Sequence, residues 1–223
     1  MARAKNAASE PATGKAAREY DVHPGVELVR KWITELPQKT GRSLDQWLIL
    51  IRKQGPANEA ERVAWLKGEH GLGTNSAWWL AQRAEGKGAE ESDPKAYLKA
   101  ATGWVEQMYA GAKAGLRPIH DALLALARRL GPDIRVCPCQ TIIPIYRENV
   151  IAQIKPSART RIDFGLALKG VADRIPARLI DTGGLKKNDR ITHRFEIARP
   201  EQVDDVVQRW LRIAYDLNAP RSE

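Results

Sequence analysis

The sequence predicts an α+β protein: an all-helical N-terminal domain followed by an antiparallel sheet with flanking helices. Through the first half of the chain, apolar residues recur every three or four positions, as on one face of a helix. After Gly131-Pro132 they recur every second position, in short runs bounded by turn residues. A helix, an antiparallel meander and a closing helix make an α+β layer pattern, in which helices cover one face of the sheet.

The first half divides into short helices. An apolar stripe from Leu28 to Leu36 marks the first helix, which Pro37 is expected to end. Three later helix starts are marked by the capping residues Ser43, Asn58 and Thr74. Asp93-Pro94 begins a further helix, which we expect to bridge the two halves.

The second half carries the strands. We predict five of them, near residues 134–137, 141–147, 149–154, 159–168 and 192–198, between a helix that ends at Leu130 and a closing helix after Pro200. Pro144 inside a strand indicates an edge or a bulge. A long irregular loop is expected at 169–191. The predicted organisation is therefore a disordered tail at 1–24, a helical domain at 25–86, a linker and bridging helix at 87–110, and an α+β domain at 111–223.

Composition limits the class of protein. The 223 residues are 43% hydrophobic and 28% charged, which suits a packed, soluble fold. No apolar run approaches the ~20 residues that span a bilayer, and the start lacks a secretory signal. Cys137 and Cys139 are too close in sequence to staple the fold, which fits a reducing compartment. We therefore expect a cytoplasmic protein without membrane contact.

Chemistry-bearing motifs are scarce. The two cysteines are half of a structural zinc site, and His120 and His193 would have to complete it, so we expect no metal. No phosphate-cradle loop, nucleophile elbow or His-Glu-x-x-His motif is present, and we expect no cofactor. An enzyme of unknown class using Asp163, His193 or Glu196 stays an alternative to a protein that only binds.

Positive charge is concentrated in the second half. The net charge is +9, and residues 135–199 carry 13 Lys and Arg against 6 Asp and Glu. A concentrated positive field attracts polyanions and speeds their encounter. The alternative is an ordinary solvated surface of a basic protein.

The strand at 159–168 suggests where an anion would bind. Because alternate side chains of a strand face opposite sides, Ile162 and Phe164 point to the core. If the neighbouring strands pair with it, the other face presents Lys155, Arg159, Arg161 and Arg194, tempered by Asp163 and Glu196. Arginine offers a planar set of donors for phosphate, but cross-strand ion pairs worth roughly 0.2–1 kcal/mol each are the alternative. Lys186 and Lys187 in the long loop would assist as part of a lid.

The helical domain offers a second kind of surface. Residues 58–70 and 74–85 resemble a helix-turn-helix in outline, but the second helix carries the adjacent aromatic residues Trp78 and Trp79. Two adjacent tryptophans are more typical of a core or a partner surface than of base reading. A protein-interaction module is therefore the alternative to nucleic-acid binding.

Several motifs resemble an uncharacterised bacterial family that joins two domains of unknown function, numbered 4287 and 5655. In the first half they are Thr40-Gly41-Arg42-Ser43 and the stretch from Val63 to Gly73. In the second half they are the stretches from Leu116 to Leu123 and from Thr160 to Gly170, and Thr192-His193-Arg194. This chain departs from the family at Thr74 and Asn75 and at Cys139 and Gln140. The resemblance implies no activity, although domains like the second one also occur attached to restriction-type nucleases.

These observations favour a non-enzymatic protein that binds an anionic partner, nucleic acid in particular, through a basic sheet face. The expected ligand-binding residues are Lys155, Arg159, Arg161, Asp163, Arg194, Lys186 and Lys187.

Overall fold

A computed structural model describes residues 19–219 of the chain. Within them, seven α-helices form: α1 Pro24–Thr40, α2 Leu44–Gln54, α3 Glu59–Gly68, α4 Thr74–Ala84, α5 Pro94–Met108, α6 Arg117–Arg128 and α7 Asp205–Leu217. The six strands are β1 Arg135–Val136, β2 Ile143–Tyr146, β3 Val150–Lys155, β4 Ile162–Leu166, β5 Ile180–Asp181 and β6 His193–Ile197. The predicted α+β class is confirmed. No helix among the described residues is long and apolar enough to cross a bilayer.

Local signals place the helix ends. Ser43 and Gln46 form the predicted capping box at the start of α2, and Asn58 caps α3 through its side chain. Helix α1 does not stop at Pro37 as expected but continues past it to Thr40. The last turn closes beyond it through the Gly41 N–H to the Pro37 carbonyl, 2.8 Å away, and Gly41 adopts a positive φ of 74°.

The first four helices share a small core. Its buried members are Leu36, Trp47, Ile51, Leu66, Leu72, Ala77, Trp79, Leu80 and Ala81. Helix α5 contributes to two other clusters: Tyr97 and Ala101 pack with Val26, and Val105 and Met108 join the core of the sheet domain. The helix predicted to bridge the halves therefore contacts both.

The sheet is antiparallel throughout, in the order β1-β2-β3-β4-β6-β5. Helices α6 and α7 contribute to the core on its inner face, where Leu123 and Trp210 join Phe164 and Phe195. Pro144 lies in neither an edge strand nor a bulge: β2 lies between β1 and β3, and Pro144 is paired with Gln153. The register shifts between Ile145 and Tyr146, where the extra residue is Ile151 of β3.

Two strand predictions need correction. The strand predicted at 159–168 pairs only over β4, so Arg159 lies in the turn before it. The loop predicted as irregular at 169–191 contains β5, whose Ile180 and Asp181 pair with β6. Two residues are too few to show the alternation by which a strand is recognised in a sequence. β5 is a strand only because it pairs with β6.

The predicted tail divides into two parts. Residues 1–18 lie outside the described residues. Residues 19–23 are ordered against the sheet domain, where the Asp21 N–H donates to the Val136 carbonyl and the Val136 N–H donates to the Asp21 carboxylate, each at 2.8 Å. Arg128 adds an ion pair to Asp21 at 2.8 Å, and Tyr20 is buried. This segment extends the edge of the sheet beside β1.

Candidate functional site

The charged face predicted for the sheet exists, but its arginines are neutralised. Arg161 lies 3.2 Å from Asp163 and 3.2 Å from Glu196, and Arg194 lies 3.0 Å from Glu196 and 3.7 Å from Asp163. Asp163 and Glu196 are direct cross-strand partners, which is why each carboxylate reaches both guanidinium groups. Two positive and two negative charges meet in one cluster, so these two arginines add no net positive field.

The other predicted ligand-binding residues lie apart from this cluster. Lys155 and Arg159 are exposed at the end of β3 and in the turn before β4. Lys186 and Lys187 are exposed on the loop between β5 and β6. Within residues 19–219, none of these four cations has a carboxylate within 4.0 Å. The structure therefore separates a neutral cluster around Arg161 and Arg194 from four exposed cations that lack carboxylate partners among the described residues.

The loop at 182–191, here called the β5–β6 loop, is held by its own hydrogen bonds. The Gly184 N–H donates to the Thr182 hydroxyl at 3.2 Å, and the Asp189 N–H donates to the Gly184 carbonyl at 2.8 Å. A Cβ atom on Gly184 would lie 2.2 Å from the Ile191 carbonyl oxygen, so the turn requires glycine there. These contacts give the loop a defined path in place of the irregular one expected.

The β5–β6 loop crosses the outer face of the sheet. Arg190 donates to the Asn149 side-chain oxygen in the β2–β3 turn at 3.1 Å. Ile191 packs over Gly165 in the middle of β4, where an added Cβ would lie 2.6 Å from the Ile191 methyl group. A glycine inside a strand is a known sign of close approach by another segment, and this signal was present in the sequence.

A groove of about 500 Å³ lies between this loop and strands β2 and β3. We call it the outer-face groove. On the sheet, Pro144 and Gln153 are cross-strand partners, and Gln153 is also paired with Gly165. Because proline is short and glycine has no side chain, this row of the sheet leaves a depression. Residues bordering the groove include His23, Cys139, Ile142, Pro144, Tyr146, Gln153, Thr182, Asp189, Arg190 and Ile191.

His23 and Tyr146 form a hydrogen-bonded pair at the edge of the groove. The His23 Nδ1 accepts from the Gly25 N–H at 2.9 Å, as the cap of α1. Burial, with help from the Arg135 charge, lowers the pKa of His23, so the ring is neutral and its one proton sits on Nε2. That Nε2–H donates to the Tyr146 hydroxyl oxygen at 2.9 Å.

This arrangement leaves the Tyr146 hydroxyl hydrogen available. Within residues 19–219 the hydroxyl makes no second hydrogen bond. Burial raises the pKa of Tyr146, so the group keeps its proton near neutral pH. The groove therefore has a fixed O–H donor, which the sequence could not reveal because His23 and Tyr146 are 123 positions apart.

A second, polar depression of about 260 Å³ adjoins the loop. Asp189 and Arg190 border both it and the outer-face groove, whereas Lys169 and Asn188 border the depression alone. Asn188 has a positive φ of 55°, a left-handed conformation that asparagine adopts more readily than most residues. Arg190 therefore links the groove to a depression that Lys169 also borders.

The residues proposed for an enzyme, Asp163, His193 and Glu196, do not lie on one face of the sheet. His193 shares the inner face of the sheet with Phe195 and contacts the Thr192 hydroxyl at 2.9 Å, whereas Asp163 and Glu196 face outward. Burial raises the pKa of Cys137 to about 12, which keeps its thiol protonated and unreactive. Among the described residues, no three or more His, Cys, Asp or Glu side chains gather as metal ligands.

The two adjacent tryptophans differ. Trp79 is 8% exposed, and its indole N–H donates to Glu91 at 2.6 Å. Trp78 is 45% exposed.

An apolar groove of about 260 Å³ lies beside α1 and α4, bordered by Leu28, Val29, Trp32 and Trp79. Leu28 is 69% exposed at its rim.

Comparison with protein families finds two matches. Residues 105–218 match the family described as Domain of unknown function (DUF5655), and residues 29–86 match the one described as Domain of unknown function (DUF4287). Their order agrees with the resemblance seen in the sequence motifs. No curated protein and no solved structure matches the chain.

Proposed function

The chain belongs to the family described as Domain of unknown function (DUF5655), and we propose that it is a protein that binds a polyanion, nucleic acid in particular. The observation that supports this is a set of cations on and near the β5–β6 loop that have no carboxylate within 4.0 Å among residues 19–219. Lys186 and Lys187 extend from the β5–β6 loop, and Lys169 and Arg190 border its polar depression. Exposed cations without carboxylate partners can bind phosphate without first breaking an ion pair within the protein.

This proposal moves the phosphate contacts from the strand to the loop. A phosphate at Arg161 or Arg194 would have to displace Asp163 or Glu196, which already occupy both guanidinium groups. The loop lysines have no such competitor within 4.0 Å among residues 19–219. Asp189 is the carboxylate that faces the same region, and Arg190 lies directly next to it.

Replacing Lys186 and Lys187 together with glutamine is expected to weaken nucleic-acid binding by about tenfold or more at moderate salt. Each phosphate contact contributes roughly 0.7–0.9 to the slope of log affinity against log salt, so the slope should fall by about 1.5. Fluorescence anisotropy of a labelled oligonucleotide over a salt series measures both quantities.

The matched control is Arg52→Gln with Lys53→Gln, an exposed pair at the end of α2 that removes the same charge from the helical domain. It should leave affinity and slope within error of the original protein. Equal losses in both double variants would mean that net charge alone attracts the ligand. Affinity that does not change with salt would contradict polyanion binding altogether.

The exposure of Trp78 supports a second candidate, a protein-binding surface on the helical domain. We expect Trp78→Ser to change the free energy of unfolding by no more than about 0.5 kcal/mol, as for an exposed side chain without a structural role. Trp79→Ser should cost about 3 kcal/mol, because that ring is buried in the helical core. Denaturant unfolding compares the two, and a large loss for Trp78→Ser would make Trp78 a structural residue and remove the reason for this candidate.

A further inference from the structure

The outer-face groove combines flat apolar surface with polar groups at its edges. Pro144, Ile142 and Ile191 supply the apolar part. A free inorganic anion would gain nothing from that surface. A purely apolar ligand would instead leave the Tyr146 hydroxyl and the Gln153 amide without partners, which costs binding energy.

The polar groups present both donors and acceptors. Tyr146 offers an O–H whose oxygen is already engaged by His23, so it acts as a donor. Gln153 offers an amide, a donor and an acceptor, which makes no hydrogen bond within residues 19–219, and Asp189 offers acceptors only. A mixed set of this kind matches the edge of a nucleobase, which carries ring nitrogens, carbonyls and amino groups side by side.

The cations lie at one side of the groove. Arg190 borders both the groove and the polar depression, and Lys169 borders that depression as well. A ligand with an aromatic heterocycle in the groove would therefore place an attached phosphate near these two side chains. A heterocycle joined to a phosphate is the repeating unit of a nucleic acid strand.

We propose that the outer-face groove holds one unpaired base of a single-stranded nucleic acid, with the adjoining phosphate at Lys169 and Arg190. This rests on the proposed function and specifies which part of the polyanion the site takes. A base stacked inside a duplex cannot reach the groove floor without leaving its helix, which costs a few kcal/mol. The site should therefore select single strands over duplexes.

The test uses the full chain and three labelled probes of equal length: a single strand, the duplex of the same sequence, and a strand with abasic sites throughout. The single strand should bind about tenfold more tightly than either of the others, because both lack an accessible base. Equal affinity for the single and abasic strands would overturn the base site while leaving polyanion binding intact. No binding to any probe would remove both proposals.

Two variants test the groove directly. Tyr146→Phe and Gln153→Leu each remove hydrogen-bonding groups and keep the side-chain bulk, and each should weaken single-strand binding by about three- to tenfold. Neither should change abasic-strand binding. Tyr215→Phe is the matched control, since its hydroxyl bonds Asp133 and its helix packs on the opposite face of the sheet. Losses that are the same for the abasic strand would show that these residues do not contact a base.

Discussion

Replacing Arg62 with methionine is expected to lower the free energy of unfolding of the helical domain by about 3 kcal/mol. Arg62 is 9% exposed, and its guanidinium group donates to the carbonyls of Pro56, Ala57 and Ala81 at 3.0–3.2 Å. It also pairs with Glu85 at 3.1 Å. Methionine retains the apolar stem but leaves three carbonyls without their donor, and removing one partner of a buried charged network costs several kcal/mol.

Denaturant unfolding followed by tryptophan fluorescence measures this loss, because the helical core contains Trp47 and Trp79. Arg52→Met is the matched control, since Arg52 is exposed in the last turn of α2, and it should change stability by about 0.5 kcal/mol or less. Arg62→Lys should fall between the two, because a single ammonium cannot reach all three carbonyls. A loss for Arg62→Met no larger than that of the control would show that the clamp between α3 and α4 contributes little.

The second large effect is acid destabilisation through His120. Its side chain is fully buried, with Nδ1 3.2 Å from the Tyr109 hydroxyl and no partner for Nε2 among the described residues. Burial lowers the pKa of His120 to about 4; the nearby Asp121 and Glu106 charges partly offset this shift, and the Arg117 charge adds to it. The folded protein therefore holds this imidazole neutral.

The direction in which stability changes with pH follows from the protons that each state binds. An unfolded chain has a histidine pKa of about 6.5, so between pH 6.5 and about 4 the unfolded state binds more protons than the folded state. Stability is complete above pH 6.5 and falls as the pH drops towards 4, by about 3 kcal/mol in total. Burial also lowers the pKa of His23, which acts in the same direction.

His120→Gln separates the two histidines. The variant should be less stable at pH 7, but its unfolding free energy should depend less steeply on pH between 6.5 and 4, by up to one proton. Unfolding free energies at several pH values measure this slope, and NMR titration of the imidazole reports the pKa itself. A slope identical to that of the original protein, or an imidazole that titrates above pH 6.5, would contradict the prediction.

The outer-face groove shows why a correct strand pattern did not locate the site. Alternation along β4 correctly placed Phe164 inward and Asp163 outward. It could not reveal that Ile191 would lie over Gly165, because that contact depends on where the β5–β6 loop crosses the sheet. The glycine in the strand was the one local sign of close approach, and it does not identify the segment that approaches.

The local features of this protein were determined by its sequence alone. The capping box at Ser43, the cap at Asn58 and the two faces of β4 each arise from residues a few positions apart. Short-range sterics and hydrogen bonds are sufficient to produce them, and they established the α+β class.

The distribution of usable charge was decided only by the tertiary structure. Arg161 meets Glu196, 35 positions later, because β4 and β6 pair in one register, and that pairing cancels the field that the composition suggested. The same pairing and the path of the β5–β6 loop leave Lys186 and Lys187 without a carboxylate within 4.0 Å among residues 19–219. They also place Tyr146 and Gln153 in one groove. Contacts between distant residues depend on the strand register and on the path of the loops. Both are set by the packing of the whole chain and not by short stretches of sequence.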